Sequence, residues 1–224
     1  MKTLDHEKTH LGEICFVGAG LGGGFANTSE LKPMKYDEAM ARDPIGWGKA
    51  VDKEHTKMVD DEVFKAVKIK DLPADAKVLT TAWAMKQKAN GAKRARLVAR
   101  GFQQEDEAHC DLDDIAAPVV NDVTVKIAFA MMLLAAWMNQ LVDAKGAFLH
   151  GNFENGKEVL YANVPEGMER FYPKNIVLLL LRTIYGLKQV AKQYWIEVLK
   201  CFENMGYKRS KADPCLYFKW IEEK

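Results

Sequence analysis

Gln140-Leu141-Val142-Asp143-Ala144-Lys145-Gly146-Ala147-Phe148-Leu149-His150-Gly151 is the stretch on which the fold turns. An apolar approach runs into one carboxylate, Asp143, and the chain then turns through small residues to an aromatic ring. A charge at the end of a hydrophobic strand needs a partner, a hydrogen-bond donor or a metal ion. Gly146 and Ala147 let backbone come close to a ligand, and Phe148 closes one side. Two readings stand on these residues alone. One is a pocket floor around Asp143; the other is an ordinary strand end with a solvated aspartate, since one acidic residue is a weak motif.

Upstream, residues 78–88 and 93–100 read as a β-hairpin around the turn pair Asn90-Gly91. Strand parity places Arg94, Arg96, Val98 and Arg100 on one face and Ala95, Leu97 and Ala99 on the other. Residues 84–100 hold six basic side chains and no acidic one. Such a ribbon can lay guanidinium forks along phosphates. It also suits a solvated edge strand that charge protects from further pairing.

The rest of the chain alternates helix and strand patterns. Residues 36–67 read as helical, with Asp43-Pro44 as a start signal and Trp47, Val51, His55 and Met58 as a packing stripe. Asp60-Asp61 at the end of that stripe, and Asp113-Asp114 in an acidic loop, are left to solvent. Asp122 is expected to cap a helix to about residue 138, apolar all round in its later part and therefore buried, followed by a strand at 139–142. Strands are expected at 158–164, 176–182 and 216–221, with a turn at Pro165-Glu166-Gly167. A helix at 188–205 has Ala191, Tyr194, Trp195, Val198, Phe202 and Met205 on its core face and Gly206 as its stop. Gly18-Ala19-Gly20-Leu21-Gly22-Gly23 fits G-x-G-x-x-G in form. The residues after it start no helix cleanly and no cofactor acid follows, so a glycine-rich linker is the reading, with a nucleotide-cofactor enzyme as a distant alternative.

A net charge of +1 gives no global field toward nucleic acid, so any such binding is local. Cys15, Cys110, Cys201 and Cys215 form no Cys-x-x-Cys pair, which speaks against zinc and disulfide frameworks and for a reducing compartment. The start is polar, without a signal peptide, and the apolar run 127–138 is too short to span a bilayer. An intracellular protein, cytoplasmic or nuclear and free of the membrane, is expected.

Several of these stretches together resemble one family. Asp143-Ala144-Lys145-Gly146-Ala147-Phe148-Leu149-His150-Gly151 is similar to the first catalytic motif of copia-type retrotransposon reverse transcriptases. Lys93-Arg94-Ala95-Arg96-Leu97-Val98-Ala99-Arg100-Gly101-Phe102, Ala117-Pro118-Val119-Val120, Tyr185-Gly186-Leu187-Lys188-Gln189 and Ala212-Asp213-Pro214-Cys215-Leu216-Tyr217 continue the series in the family's order. The resemblance spans about residues 35–220. It implies an α+β fold, fingers plus the first part of the palm of a right-hand polymerase. Residues 35–120 would be fingers and 121–224 partial palm, behind a linker at 1–34. It further implies an RNA-directed DNA polymerase segment that meets RNA or DNA template-primer and deoxynucleotides, with magnesium as cofactor.

By that resemblance Asp143 is the catalytic and metal-binding residue. Ala144 would add a carbonyl, Gly146 and Ala147 backbone groups, and Phe148 a ring beneath the sugar. Arg94 and Arg96 would face the triphosphate, Tyr185 and Gly186 would pack near the nucleotide, and Lys93, Arg100, Lys188 and Gln189 would meet template-primer. Two departures stand out. Val190-Ala191-Lys192-Gln193-Tyr194 replaces the family's Ala-Pro-Arg-Gln-Trp, and no Tyr-x-Asp-Asp occurs. An amino-terminal part that does not polymerise alone is therefore expected, with the remaining polymerase as a partner; the alternative is a non-catalytic nucleic-acid-binding remnant.

Overall fold

The computed structural model describes residues 11–16, 33–88, 90–105, 115–138, 144, 146–153 and 159–221, with 11–16 and 221 described by backbone alone. The fold is α+β, as expected. The chain forms two compact units. The larger comprises residues 23–117 and 144–197, the smaller residues 1–22, 118–143 and 198–224.

In the larger unit, α1 (Tyr36–Arg42) leads into α2 (Pro44–Asp60). Proline opens α2 where its missing N–H costs nothing. The Asp43 side chain caps it, accepting from Gly46 N–H at 2.8 Å. Lys93 donates to the same carboxylate, and that bond, ahead of the cap, holds the Asp43 carboxyl below its usual value. The stripe read from sequence buries Trp47, Val51 and Met58. His55 is hydrogen-bonded to Tyr172 Oη at 2.7 Å and stacks on Phe171.

The helix does not continue to residue 67. Glu62 adopts φ 50°, and Val63 N–H closes on the Met58 carbonyl at 2.9 Å. The chain then enters a strand, β2 (Phe64–Lys68). β2 lies at one edge of a four-stranded sheet with β3 (Val78–Leu79), β6 (Leu160–Asn163) and β7 (Ile176–Leu180), in the order β2-β7-β6-β3. Only β3 and β6 run parallel. The turn at 165–167 forms as expected, Met168 N–H donating to the Pro165 carbonyl.

β4 (Thr81–Gln87) and β5 (Lys93–Ala99) make the hairpin, with Trp83 opposite Leu97 and Ala84 opposite Arg96, but Val78 and Leu79, expected in its first strand, pair as β3 with β6 instead. Parity holds along β5: Ala95, Leu97 and Ala99 are buried while Arg94 is exposed and Arg96 half-buried. Those small residues let α2 lie close over the hairpin, and Trp47, Met58, Leu79, Met85, Leu97 and Leu149 share one core.

In the smaller unit, β1 (Leu11–Phe16) pairs antiparallel with β9 (Leu216–Ile221), which also pairs with β8 (Lys208–Arg209). A dinucleotide fold needs a first strand with parallel neighbours; the glycines at 18–23 lie outside the described residues. α3 (Asp122–Leu134) is capped by Asn121, which accepts from Val123 N–H at 2.9 Å, so Asp122 is the first helical residue and not the cap. It ends four residues before the expected limit, with Ala136 at φ 52°. The expectation of burial also fails, since Val123, Ile127, Phe129, Leu133 and Leu134 are exposed. Of α4 (Val190–Asn204), the part from residue 198 on belongs to this unit and contributes Phe202, stacked on Tyr217 with centroids 4.9 Å apart. The strand expected at 139–142 lies outside the described residues.

Candidate nucleotide and nucleic-acid site

A strand edge exposes unpaired N–H groups, and the outer edge of β5 meets two partners. Ala99 N–H donates to the Tyr185 carbonyl at 2.8 Å, and Val98 bridges Tyr185 in parallel. Two residues earlier on β5, the Leu97 amide donates to the carboxylate of Glu54 on α2. The approach at Tyr185 is possible only without side chains. A Cβ at Gly186 would run into the Ala99 carbonyl, and one at Gly101 into the Gly186 carbonyl. Gly186 also takes φ 89°, where an L side chain is strained. Two glycines from separate sequence motifs thus lock the Tyr185 turn to the end of β5.

This lock places an aromatic group under an arginine. The Arg96 guanidinium sits 4.8 Å from the Tyr185 ring centroid. Phe148 meets Tyr185 edge-on at 5.5 Å and Tyr194 at 5.9 Å. Thr183 Oγ1 donates to the Phe148 carbonyl at 2.8 Å, fixing the backbone behind that ring. Arg96, Phe148, Tyr185 and Gly186, all named from sequence, therefore share one neighbourhood, and Arg94 lies two residues before Arg96 on the same strand.

Gly146 is buried, with φ 69°, and heads the single 3₁₀ turn Ala147–Leu149. A Cβ there would collide with the ammonium of Lys57. Lys57 and Glu54 stand one turn apart on α2, and neither was singled out from sequence. Burial, ahead of all else, raises the Glu54 carboxyl above its usual value, against the pull of Lys57, the Leu97 amide, Arg94 and Arg96. Its Oε1 is buried without a hydrogen-bond partner, as is Arg96 Nε.

The residues expected to meet template-primer divide. Arg100 is exposed, as is Arg94 of the triphosphate set. Lys93 is held by Asp43 and lies 5.8 Å from the Trp47 ring centroid. Lys188 donates from N and Nζ to Gln104 Oε1 and O, both at 2.9 Å, and the Gln104 amide donates to Gln189 Oε1. These bonds bind the 185–189 turn to the residue after the hairpin. Ala144 is exposed and Ala147 half-buried. Asp143 lies outside the described residues. Among the described residues no three His, Cys, Asp or Glu side chains converge to hold a metal ion.

In the smaller unit the Ala212–Tyr217 motif is a structural clamp. Burial pushes the Asp213 carboxyl up. Hydrogen bonds from the Asn121 and Cys215 amides, 2.8 Å each, and from the Thr124 hydroxyl outweigh it and leave the group below its usual value. Asp213 thereby ties the start of α3 to the turn before β9.

The family model for reverse transcriptase (RNA-dependent DNA polymerase) matches residues 62–224. The chain is 31% identical over 180 residues to the retrovirus-related Pol polyprotein from transposon TNT 1-94 of Nicotiana tabacum, covering 78% of this chain and 13% of that protein. It is 25% identical over 150 residues to the corresponding polyprotein from transposon RE1 of Arabidopsis thaliana, 65% of this chain and 10% of that protein. The chain thus spans about an eighth or less of the length of these relatives. No solved structure matches it. No helix among the described residues is long and apolar enough to cross a membrane. With the ordered motifs, the hairpin that carries one of them and the family match in hand, the chain belongs to the reverse transcriptase (RNA-dependent DNA polymerase) family, of the copia type found in retrotransposon Pol polyproteins.

Proposed function

We propose that the larger unit is the nucleotide- and template-primer-binding part of an RNA-directed DNA polymerase. The observation that carries this is the Arg96–Tyr185–Phe148 cluster, held at the end of β5 by the Ala99–Tyr185 hydrogen bond. Guanidinium groups suit phosphate oxygens, and a ring packed edge-on from two sides makes a firm wall for a sugar or base. In this reading Arg94 and Arg96 take the triphosphate, and Gly146 and Ala147 bring backbone to it. Phe148 lies beneath the deoxyribose and excludes a 2′-hydroxyl, with Tyr185 and Gly186 as the wall behind. Asp143, with the Ala144 carbonyl, is assigned the magnesium by family resemblance. Arg100 takes template-primer; Lys93, Lys188 and Gln189 support it from their internal bonds. Cys201 and Cys215 are free thiols, which suits a reducing intracellular compartment, cytoplasmic or nuclear.

Binding of a primer-template duplex to residues 1–224, followed across a salt titration, tests the reading. Phosphate contacts release counterions, so affinity should fall steeply with salt and show no sequence preference. Replacing Arg94, Arg96 and Arg100 together by alanine should flatten the log–log slope by roughly 2–3. Equal affinity and slope in that variant would move the nucleic-acid surface elsewhere.

A further inference from the structure

The α2 helix was read from sequence only as a packing element. Its polar flank nevertheless enters the candidate site. The Lys57 ammonium occupies the space that a side chain at position 146 would fill. Among the described residues it has no hydrogen-bonded or ion-paired partner. A lysine in the last turn of a helix is ordinary, because the helix dipole favours it. That preference does not explain why the ammonium lies over the left-handed turn at Gly146.

Three cations, Lys57, Arg94 and Arg96, act on the Glu54 carboxylate, yet none forms an ion pair with it. The cluster is net positive, and its Arg96 Nε and Glu54 Oε1 are buried and unpartnered. An anion's oxygen would complete the buried Arg96 Nε donor, whereas the Glu54 oxygen is an acceptor that only a proton or a donor such as water completes. One carboxylate leaves the three cations with uncompensated positive charge, which a further anion would balance.

We propose that Lys57 is a third phosphate-contacting cation of the nucleotide site, reaching over Gly146 from α2 to the polyphosphate of a nucleoside triphosphate. This rests on the nucleotide-site reading given above and adds a residue to it. Lys57 approaches from the helix and Arg94 and Arg96 from β5, so a triphosphate is held from two sides. A duplex backbone, carrying single spaced phosphates, gains little from that convergence.

The test measures binding of inorganic tripolyphosphate, dGTP and a primer-template duplex to residues 1–224 and to variants of melting temperature equal to the parent. Lys57→Met should weaken tripolyphosphate and dGTP about tenfold, as expected for one charge-assisted contact, and change duplex binding less than about twofold. Lys57→Arg should restore most of the loss. Lys57→Gln, which keeps a polar stem of similar reach, serves if the methionine variant does not fold. If Arg94→Met and Arg96→Met weaken tripolyphosphate but the Lys57 variants do not, Lys57 is no ligand and the site reading survives. Equal weakening of duplex and tripolyphosphate by Lys57→Met would make it a backbone contact and overturn the proposal. Absence of tripolyphosphate and dGTP binding in the parent would overturn both readings together.

Discussion

Glu54 in the larger unit and Asp213 in the smaller one are both carboxylates taken from water, and they are treated in opposite ways. Asp213 accepts from two backbone amides and a threonine hydroxyl, and its carboxyl lies below its usual value. Glu54 has one amide donor, an unpartnered oxygen and three cations that do not close on it, and its carboxyl lies above the usual value. A carboxylate whose donors are all supplied by its own unit holds that unit together. One left short of donors among unpaired cations marks a place where the protein has not finished its own bonding. In the smaller unit a motif residue, Asp213, is bonded within its own unit, whereas in the larger unit Glu54, outside every motif, is left short of donors.

The largest expected effect is at Asp213. Asp213→Ala would leave two amides and a hydroxyl without an acceptor and should cost roughly 2–3 kcal/mol, read as a lowered denaturant midpoint. The sign with pH follows from the depressed value. Asp213 stabilises in full above the unfolded-state value of about 3.8, and this contribution is lost as pH falls through the lower folded value. An acid titration of the parent should therefore lose stability below about pH 4, and Asp213→Asn should show less of that slope. No change in either measurement would remove the clamp from the comparison.

Gly186→Ala comes next. It adds a Cβ against the Ala99 carbonyl at a positive φ, and about 2 kcal/mol of strain is expected. Amide exchange at Ala99 should rise as the Tyr185 carbonyl is displaced. An unchanged Ala99 amide would mean the lock between the turn and β5 is dispensable.

The smallest effect has the opposite sign. A raised carboxyl value means that folding favours the protonated form. Glu54 therefore contributes most below the unfolded-state value of 4.5, and that contribution is lost as pH rises through the folded value. Glu54→Gln removes the charge and keeps an acceptor for the Leu97 amide. It should leave the melting temperature at neutral pH unchanged or raise it by a degree or two, on the order of half a kcal/mol. A clear drop would make Glu54 a clamp like Asp213.

Much of this architecture was legible because it depends on local periodicity. Along β5 the alternation of Ala95, Leu97 and Ala99 with Arg94 and Arg96 gave the buried face directly, and Asn90-Gly91 gave the turn. β2 was missed because no stop signal follows the helical stripe after Met58, and the break at Glu62 carries no glycine or proline. Its strand state comes from pairing with β7, far along the chain. The burial expected of α3 failed for a related reason, since hydrophobicity all round states a preference but names no covering partner. Within the site, Arg94, Arg96, Phe148, Tyr185 and Gly186 were legible as motif residues. Glu54 and Lys57 were not, because an acidic and a basic residue one helical turn apart look like any solvated pair. The only sequence hint was that Gly146 must leave room for something.

The most direct measurement is amide hydrogen exchange on residues 1–224 with and without a primer-template and the matching deoxynucleoside triphosphate. A nucleotide site on the larger unit predicts slowed exchange at Leu97, Gly146–Phe148 and Gly186, with Cys215 and Leu216 in the Asp213 turn unchanged. Slowed exchange confined to the Asp213 turn, with Leu97 and Gly186 unaffected, would contradict it.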